Sequence, residues 1–253
     1  MRFLSKAIVT VILALPISAQ ANQIFNYPDF SSVSGLSLVG TAAAASGVVT
    51  LTPSLNDQAG AMWFNTPLTV GEGFVTEFDY TIDQLGSPAA DGIAFVIQTQ
   101  GPSALGGTGA DLGFGGIADS VAVSLRAFYP ILEMESCGPG LATRPGNCVV
   151  ASASPASLQG THNIEIQYVP GTLNVLIDGV ATLSGTINLY SALNLGPGGS
   201  AYVGITGGTG GLHERNSVDS WSYTSIPEPG TLFSLGVALS LIALARKKSV
   251  RSF

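Results

Sequence analysis

DGIAFVIQTQGPSALGGTGADLGFGGIADSVAVSLRAF, residues 91–128, is the stretch whose reading decides the fold. Residues 92–98 read as a buried strand, an unbroken apolar run over 93–97 between Gly92 and Gln98. Residues 101–116 are rich in glycine and predict a mobile loop, and residues 120–128 predict a second strand. Glycine has no Cβ, so its backbone can approach a neighbouring group closely. A strand, a glycine loop and a strand can therefore present backbone N–H groups to a ligand, with one acid, Asp91, at the opening.

On either side the chain keeps this character. Gly, Ser, Thr and Val dominate residues 22–226, and Gly, Pro, Asn and Asp break up short apolar or alternating runs, as in an all-β sandwich or barrel. Strands are predicted at 36–40, 48–52, 60–64, 73–82, 92–98, 120–128, 162–169, 172–177, 180–183, 201–207 and 217–224. Phe74, Phe78, Tyr80 and Ile82 alternate with Glu77, Asp79 and Thr81, so one face of that strand is buried and the other wet. Asp178-Gly179 is a type I′ hairpin signal and predicts a three-strand meander over 164–183. Residues 139–155 have no periodicity. No repeat or internal linker interrupts 22–226, which reads as one domain.

The ends read differently. Arg2 and Lys6, an apolar run and Ala19-Gln20-Ala21 have the form of a secretory signal peptide over residues 1–21. Pro227-Glu228-Pro229, an apolar run and the basic cluster Arg246-Lys247-Lys248 close the chain. The basic cluster belongs on the cytoplasmic side of a membrane, which places 22–226 outside. This tail, 227–253, resembles the PEP-CTERM sorting signal of exported Gram-negative bacterial proteins, with a hydrophobic transmembrane helix and an exosortase-type processing protease as implied partner. A plain C-terminal anchor helix is the alternative.

Residues 22–226 hold only Arg126, Arg144 and Arg215 against fifteen acids, a formal charge of −12. So acidic a body repels nucleic acid and anionic lipid and leaves neutral sugars, cations and basic proteins as partners. Cys137 and Cys148 lie close together in a Gly/Pro-rich segment. In an oxidising compartment they read as one disulfide, since a metal site would want more Cys or His nearby.

Catalytic patterns are sparse. There is no Gly-x-Ser-x-Gly elbow, and His213-Glu214 does not continue as a zinc motif. Glu77-x-Asp79 puts two carboxylates on one strand face, but the third acid of a sandwich glycosidase strand is missing. Solvated face charges are the better reading.

Several motifs in order resemble the L-type (legume-like) lectin domain in its bacterial form: Ala90-Asp91-Gly92-Ile93-Ala94-Phe95, the loop from Leu105 to Phe114, Ser120-Val121-Ala122-Val123, Ala201 to Thr206 with Gly208 to Gly211, and Ser220-Trp221-Ser222-Tyr223. The resemblance implies a concanavalin-A-like antiparallel β-sandwich (jelly roll) over 22–226 that binds carbohydrate without catalysis. It implies a sugar-accepting carboxylate at Asp91 after a cis Ala90–Asp91 peptide. Backbone donors are implied at Gly107 or Gly109 and at Gly210, Gly211 and Leu212.

The chain departs from that pattern at the metal positions. The family's Glu-Phe-Asp and following asparagine, which hold a transition metal and calcium, are replaced by Ser124-Leu125-Arg126 and Pro130. No cofactor is expected. Glu133 and Glu135, in the following loop, are the alternative calcium ligands. Arg126 paired with Asp91 or a nearby acid, together with a Cys137–Cys148 staple, would hold the loop in place of the ions. The expectation is an exported envelope, surface or extracellular protein binding a glycan such as exopolysaccharide. The alternative is a structural surface or matrix protein that kept the fold and lost both metal and sugar.

Overall fold

The computed structural model describes residues 21–83 and 89–226. The expected sorting tail, and the expected signal peptide apart from Ala21, lie outside the described residues.

The strands, numbered in chain order, begin with β1 (Asn22–Tyr27), β2 (Leu36–Gly40), β3 (Ala43–Ala45), β4 (Val48–Thr52), β5 (Ala59–Phe64) and β6 (Leu68–Thr69). Next come β7 (Phe74–Asp83), β8 (Gly92–Gln98), β9 (Ser120–Arg126), β10 (Ile131–Glu135) and β11 (Val149–Ala153). Last are β12 (Gly160–Val169), β13 (Gly171–Ile177), β14 (Val180–Ile187), β15 (Ser200–Gly208) and β16 (Arg215–Ser225).

They form two antiparallel eight-stranded sheets. The first runs β14-β13-β12-β7-β16-β4-β3, with β1 also paired to β16. The second runs β11-β10-β9-β8-β15-β5-β2, with β6 also paired to β15. This is the expected all-β sandwich. Among the described residues no helix is long and apolar enough to cross a membrane.

Alternation builds the core. On β7 the buried residues are Phe74, Thr76, Phe78, Tyr80 and Ile82, and the residues between them are at least partly exposed. Phe74 stacks on Tyr223 of β16 at 5.1 Å, and Phe78 stacks on Phe95 of β8 at 6.4 Å across the sandwich. The 164–183 meander is present as β12, β13 and β14. Its turn has Asp178 at φ 50° and Gly179 at φ 74°, both positive as a type I′ turn requires.

The unbroken apolar run of β8 has a two-sided cause. Ile93, Phe95 and Ile97 face the main core. Ala94 and Val96 belong to a second cluster with Ala61, Trp63, Ala122, Leu112, Phe114 and Ile117. The glycine-rich segment folds back over the outer face of the second sheet and plugs three apolar side chains onto it. Leu112 and Phe114 are fully buried. Burial of a Leu, Ile or Phe stabilises by about 1.5–3 kcal/mol, so the expected mobile loop is instead anchored. Its entry is fixed as well: Trp63 Nε1 donates to Ala104 O at 2.8 Å, and Gln98 Oε1 accepts from Gly101 N at 3.0 Å.

Three further expectations are corrected. β9 ends at Arg126, not at 128, because residues 127–130 turn the chain straight into β10. Glu133 and Glu135 lie on that strand and not in a loop. The aperiodic segment 139–155 contains β11, whose Val149, Val150 and Ser152 are exposed; only the small Ala151 and Ala153 of this edge strand pack on the core, too little to leave an alternation to read.

Candidate functional site

The site is built where three chain segments meet. The Ala90–Asp91 peptide is cis. Asp91 is held by its main chain on both sides: its N–H donates to Gly208 O at 3.2 Å and its carbonyl accepts from Ala127 N at 2.9 Å. Its carboxylate is flanked by the glycine loop and the last loop. A Cβ built on Gly210 would stand 3.2 Å from Asp91 Oδ2, and one built on Gly109 would stand 3.6 Å away. Asp91, Gly109 and Gly210 are therefore brought together.

The other predicted donors fare differently. Gly107 faces away from Asp91: its N–H donates to Gly115 O at 3.0 Å, and a Cβ there would strike the Asp111 carboxylate. The Gly109 N–H donates to Thr209 O at 2.8 Å, and the Gly210 N–H donates to Leu212 O at 3.1 Å while also facing the Asp91 carboxylate. Gly211, Leu212 and Ala110 make no backbone hydrogen bond through N–H among the described residues. Gly211 and Leu212 are among the predicted donors, whereas Ala110, one residue past Gly109, is not.

The last loop is tightly fixed. Thr209 and Gln58 exchange main-chain hydrogen bonds, Asp57 N donates to Gly210 O, and Thr209 Oγ1 donates to Leu55 O at 2.6 Å. Ser54 Oγ lies 2.8 Å from His213 Nδ1. Residues 54–58 form a support that no pattern in the sequence marks.

A pocket of about 190 Å³ opens beside Asp91, lined by Ala110, Leu112, Arg126, Phe128, Tyr129 and Ile131. It has room for a single monosaccharide. Phe128 and Tyr129 sit edge to face with ring centroids 4.5 Å apart, and Tyr129 is 69 % exposed. Exposed aromatic faces bind the apolar side of a ring at low entropic cost. These two residues were not foreseen; the signal was a pair of aromatics before proline in the turn between two strands. A wider groove of about 370 Å³ on the first sheet, from Gln167 to Ser184, shares none of these loops.

The electrostatics are those of buried acids. Burial raises Asp91 above the ordinary carboxylate range, and the Gly210 N–H offsets part of that. Glu214 is fully buried, and neither of its oxygens has a hydrogen-bond partner. The neighbouring amide, Asn216 Nδ2, donates to Thr52 Oγ1 at 2.8 Å. Burial, with a lesser push from Asp91, raises Glu214 to about 8, so at neutral pH it is mostly a neutral acid.

The implied metal ions do not fit the residues present. Arg126 Nη2 lies 2.6 Å from Glu133 Oε2 and 3.6 Å from Glu135 Oε1. Glu135 also accepts from Ser124 Oγ at 3.1 Å and from Gly146 N at 2.9 Å. A guanidinium and a serine stand where the resemblance implies carboxylate ligands, and calcium wants six to eight oxygens. Among the described residues no group of three or more His, Cys, Asp or Glu gathers to hold an ion. Arg126 pairs with the acids of β10 and not with Asp91.

Cys137 and Cys148 form a disulfide. Glu77 and Asp79 lie on the outer face of the first sheet, where Asn163 Nδ2 donates to both, at 3.0 and 2.8 Å.

Comparison with known proteins bears on the fold. The legume lectin domain model matches residues 22–125. The chain is similar to the winged bean acidic lectin complexed with methyl-α-D-galactose, with 22 % identity, 83 % of this chain and 100 % of that one covered, and a TM-score of 0.69. It is also similar to the metal-free form of lectin I-B4 from Griffonia simplicifolia, at 20 % identity, 79 % and 97 % coverage and a TM-score of 0.66. Arcelin-5, a lectin-like defense protein from Phaseolus vulgaris, matches at 20 % identity, 82 % and 99 % coverage and a TM-score of 0.65. The sandwich has the legume lectin fold.

Proposed function

We propose that this chain is an L-type lectin-like carbohydrate-binding protein that recognises a glycan without divalent ions and without catalysis. The observation that carries this reading is the placement of Asp91: its carboxylate is set between Gly109 and Gly210 at the mouth of a pocket walled by Phe128 and Tyr129. A sugar hydroxyl would donate to Asp91, open N–H groups at Ala110, Gly211 and Leu212 would hold neighbouring oxygens, and a ring face would rest on the aromatics. The galactoside complex of the winged bean relative supports a hexose as occupant.

The same reading makes the protein exported. The expected signal peptide and PEP-CTERM-like tail would deliver it to the envelope, surface or exterior, with an exosortase-type protease as processing partner and exopolysaccharide as the natural ligand class. The tail would tie the chain to the membrane at least before processing.

A second reading is a structural surface protein that kept the fold and lost the sugar. The Gly107, Gly109 and Gly210 N–H groups, all bonded internally, favour it, and arcelin-5 supports it as a lectin-like relative described by its defence role. A glycan array probed with the wild type and with Asp91→Asn separates the two. Binding lost in the variant supports the lectin. No binding by either protein supports the structural reading.

A further inference from the structure

We propose that Arg144 is the positioning residue of the sugar-facing glycine loop, and that the disulfide-closed strap 137–148 that carries it does the work an ion would otherwise do. The proposal rests on the carbohydrate-binding reading for its consequence, but not for its geometry.

The strap is stitched to the loop's exit. Gly116 N donates to Thr143 O at 3.0 Å, Thr143 N to Ile117 O at 3.2 Å, and Asp119 N to Leu141 O at 3.2 Å. Thr143 Oγ1, itself buried, donates to Ser120 O at 2.9 Å and accepts from Cys137 N at 3.2 Å. At the far end Glu135 takes the Gly146 N–H, and Gly146 packs so closely on Arg126 that a Cβ there would stand 2.8 Å from Nη2. The strap therefore covers the Arg126–Glu133–Glu135 cluster that fills the place of the ligands.

From the strap, Arg144 Nη1 reaches both oxygens of Asp111, at 2.9 and 2.7 Å. Asp111 is the pin of the loop. Its carboxylate lies in the curl, where a Cβ on Gly107 or on Gly115 would stand 2.3 Å from it. Arg144 is the only side-chain partner that carboxylate has among the described residues. Asp111 is also the last residue of the short 3₁₀ turn Gly109–Asp111, whose first residue flanks Asp91. Arg144 thus acts on Asp91 through two steps of contact, Asp111 and Gly109, without touching the pocket. The apolar plugs Leu112, Phe114 and Ile117 hold the loop on the sheet. The Arg144–Asp111 pair, half exposed and modest in energy, decides where its tip sits.

The test is amide hydrogen exchange across residues 105–116, read beside glycan affinity, for the wild type, Arg144→Gln, Arg144→Lys and the double variant Cys137→Ser/Cys148→Ser. Arg144→Gln is expected to speed exchange at the loop tip on the order of tenfold and to weaken glycan binding by a similar factor, leaving thermal stability close to wild type. Arg144→Lys, which keeps the charge but not the planar guanidinium, is expected to fall between. The cysteine pair is expected to loosen both strap and loop. Unchanged exchange at the tip in Arg144→Gln overturns the proposal. Should the wild type bind no glycan, faster exchange in the variants still upholds the coupling while the lectin reading fails. Should the cysteine pair not fold, the two Arg144 variants decide alone.

Discussion

Arg126 lies 2.6 Å from Glu133, on the strand ladder where its backbone faces Ile131 and where Glu133 faces Ser124. A diagonal ion pair between two adjacent strands thus occupies the position that the resemblance assigns to metal ligands. The contact has the distance of an ion pair without the alignment of a hydrogen bond, since Arg126 Nη2 and Glu133 Oε2 both lack a hydrogen-bond partner.

Removing one partner leaves charge buried. Glu133 is 12 % exposed and Glu135 not at all, so Arg126→Met is expected to destabilise the fold by on the order of 3 kcal/mol. The double variant Arg126→Met/Glu133→Leu is expected to recover most of that loss. Denaturant unfolding of the three proteins measures both; equal stability of Arg126→Met and the wild type would mean that the pair is ornamental.

Stability should fall as pH rises through neutrality. Glu214 is raised by burial to about 8, and Glu135 is raised, first by burial. A carboxyl with a raised folded pKa contributes stability that is full below its unfolded value, near 4.5 for Glu, and is lost as pH rises through the folded value. A tenfold change in an acid's ionisation constant on folding corresponds to about 1.4 kcal/mol. The melting temperature is expected to be higher at pH 5 than at pH 9, and Glu214→Gln should flatten the part of the slope above pH 7. A rising profile over that window would contradict the burial of these acids.

The glycines of the site divide by what surrounds them. Gly109 has φ +62°, and a Cβ on Gly210 would crowd Asp91 at 3.2 Å, whereas one on Gly211 meets nothing within 4 Å. Gly109→Ala is expected to cost about 1 kcal/mol and to weaken sugar binding. Gly211→Ala should leave the melting temperature unchanged. Calorimetry on the two variants checks the contrast.

Phe128 and Tyr129 are 40 % and 69 % exposed, so neither is needed for the core. Phe128→Ala and Tyr129→Ala are each expected to lower glycan affinity by roughly 1 kcal/mol or more, about fivefold, with no change in melting temperature. Titration of immobilised glycan with each variant measures it.

Much of the fold was legible because burial leaves a period in the sequence. The alternation from Phe74 to Ile82, the two-sided run from Ile93 to Ile97 and the Asp178-Gly179 turn each map onto an observed element. β3, β6, β10 and β11 escaped because they are short, lie at an edge or follow a turn, so that too few residues recur to impose a period. At the site, Asp91, Gly109 and Gly210 were legible from motif order. Arg144 and Asp111 were not: they are 33 residues apart, and no local chemistry links them. Phe128 was absorbed into a predicted strand that ends two residues sooner, and Tyr129 fell just beyond that strand, in the turn.

A sugar site that works without an ion is tested most directly by glycan binding of the wild type before and after exhaustive chelation. The same affinity is predicted in chelator as in added calcium and manganese, with loss of binding in Asp91→Asn under both conditions. Binding that vanishes in chelator and returns with calcium would contradict an ion-free site.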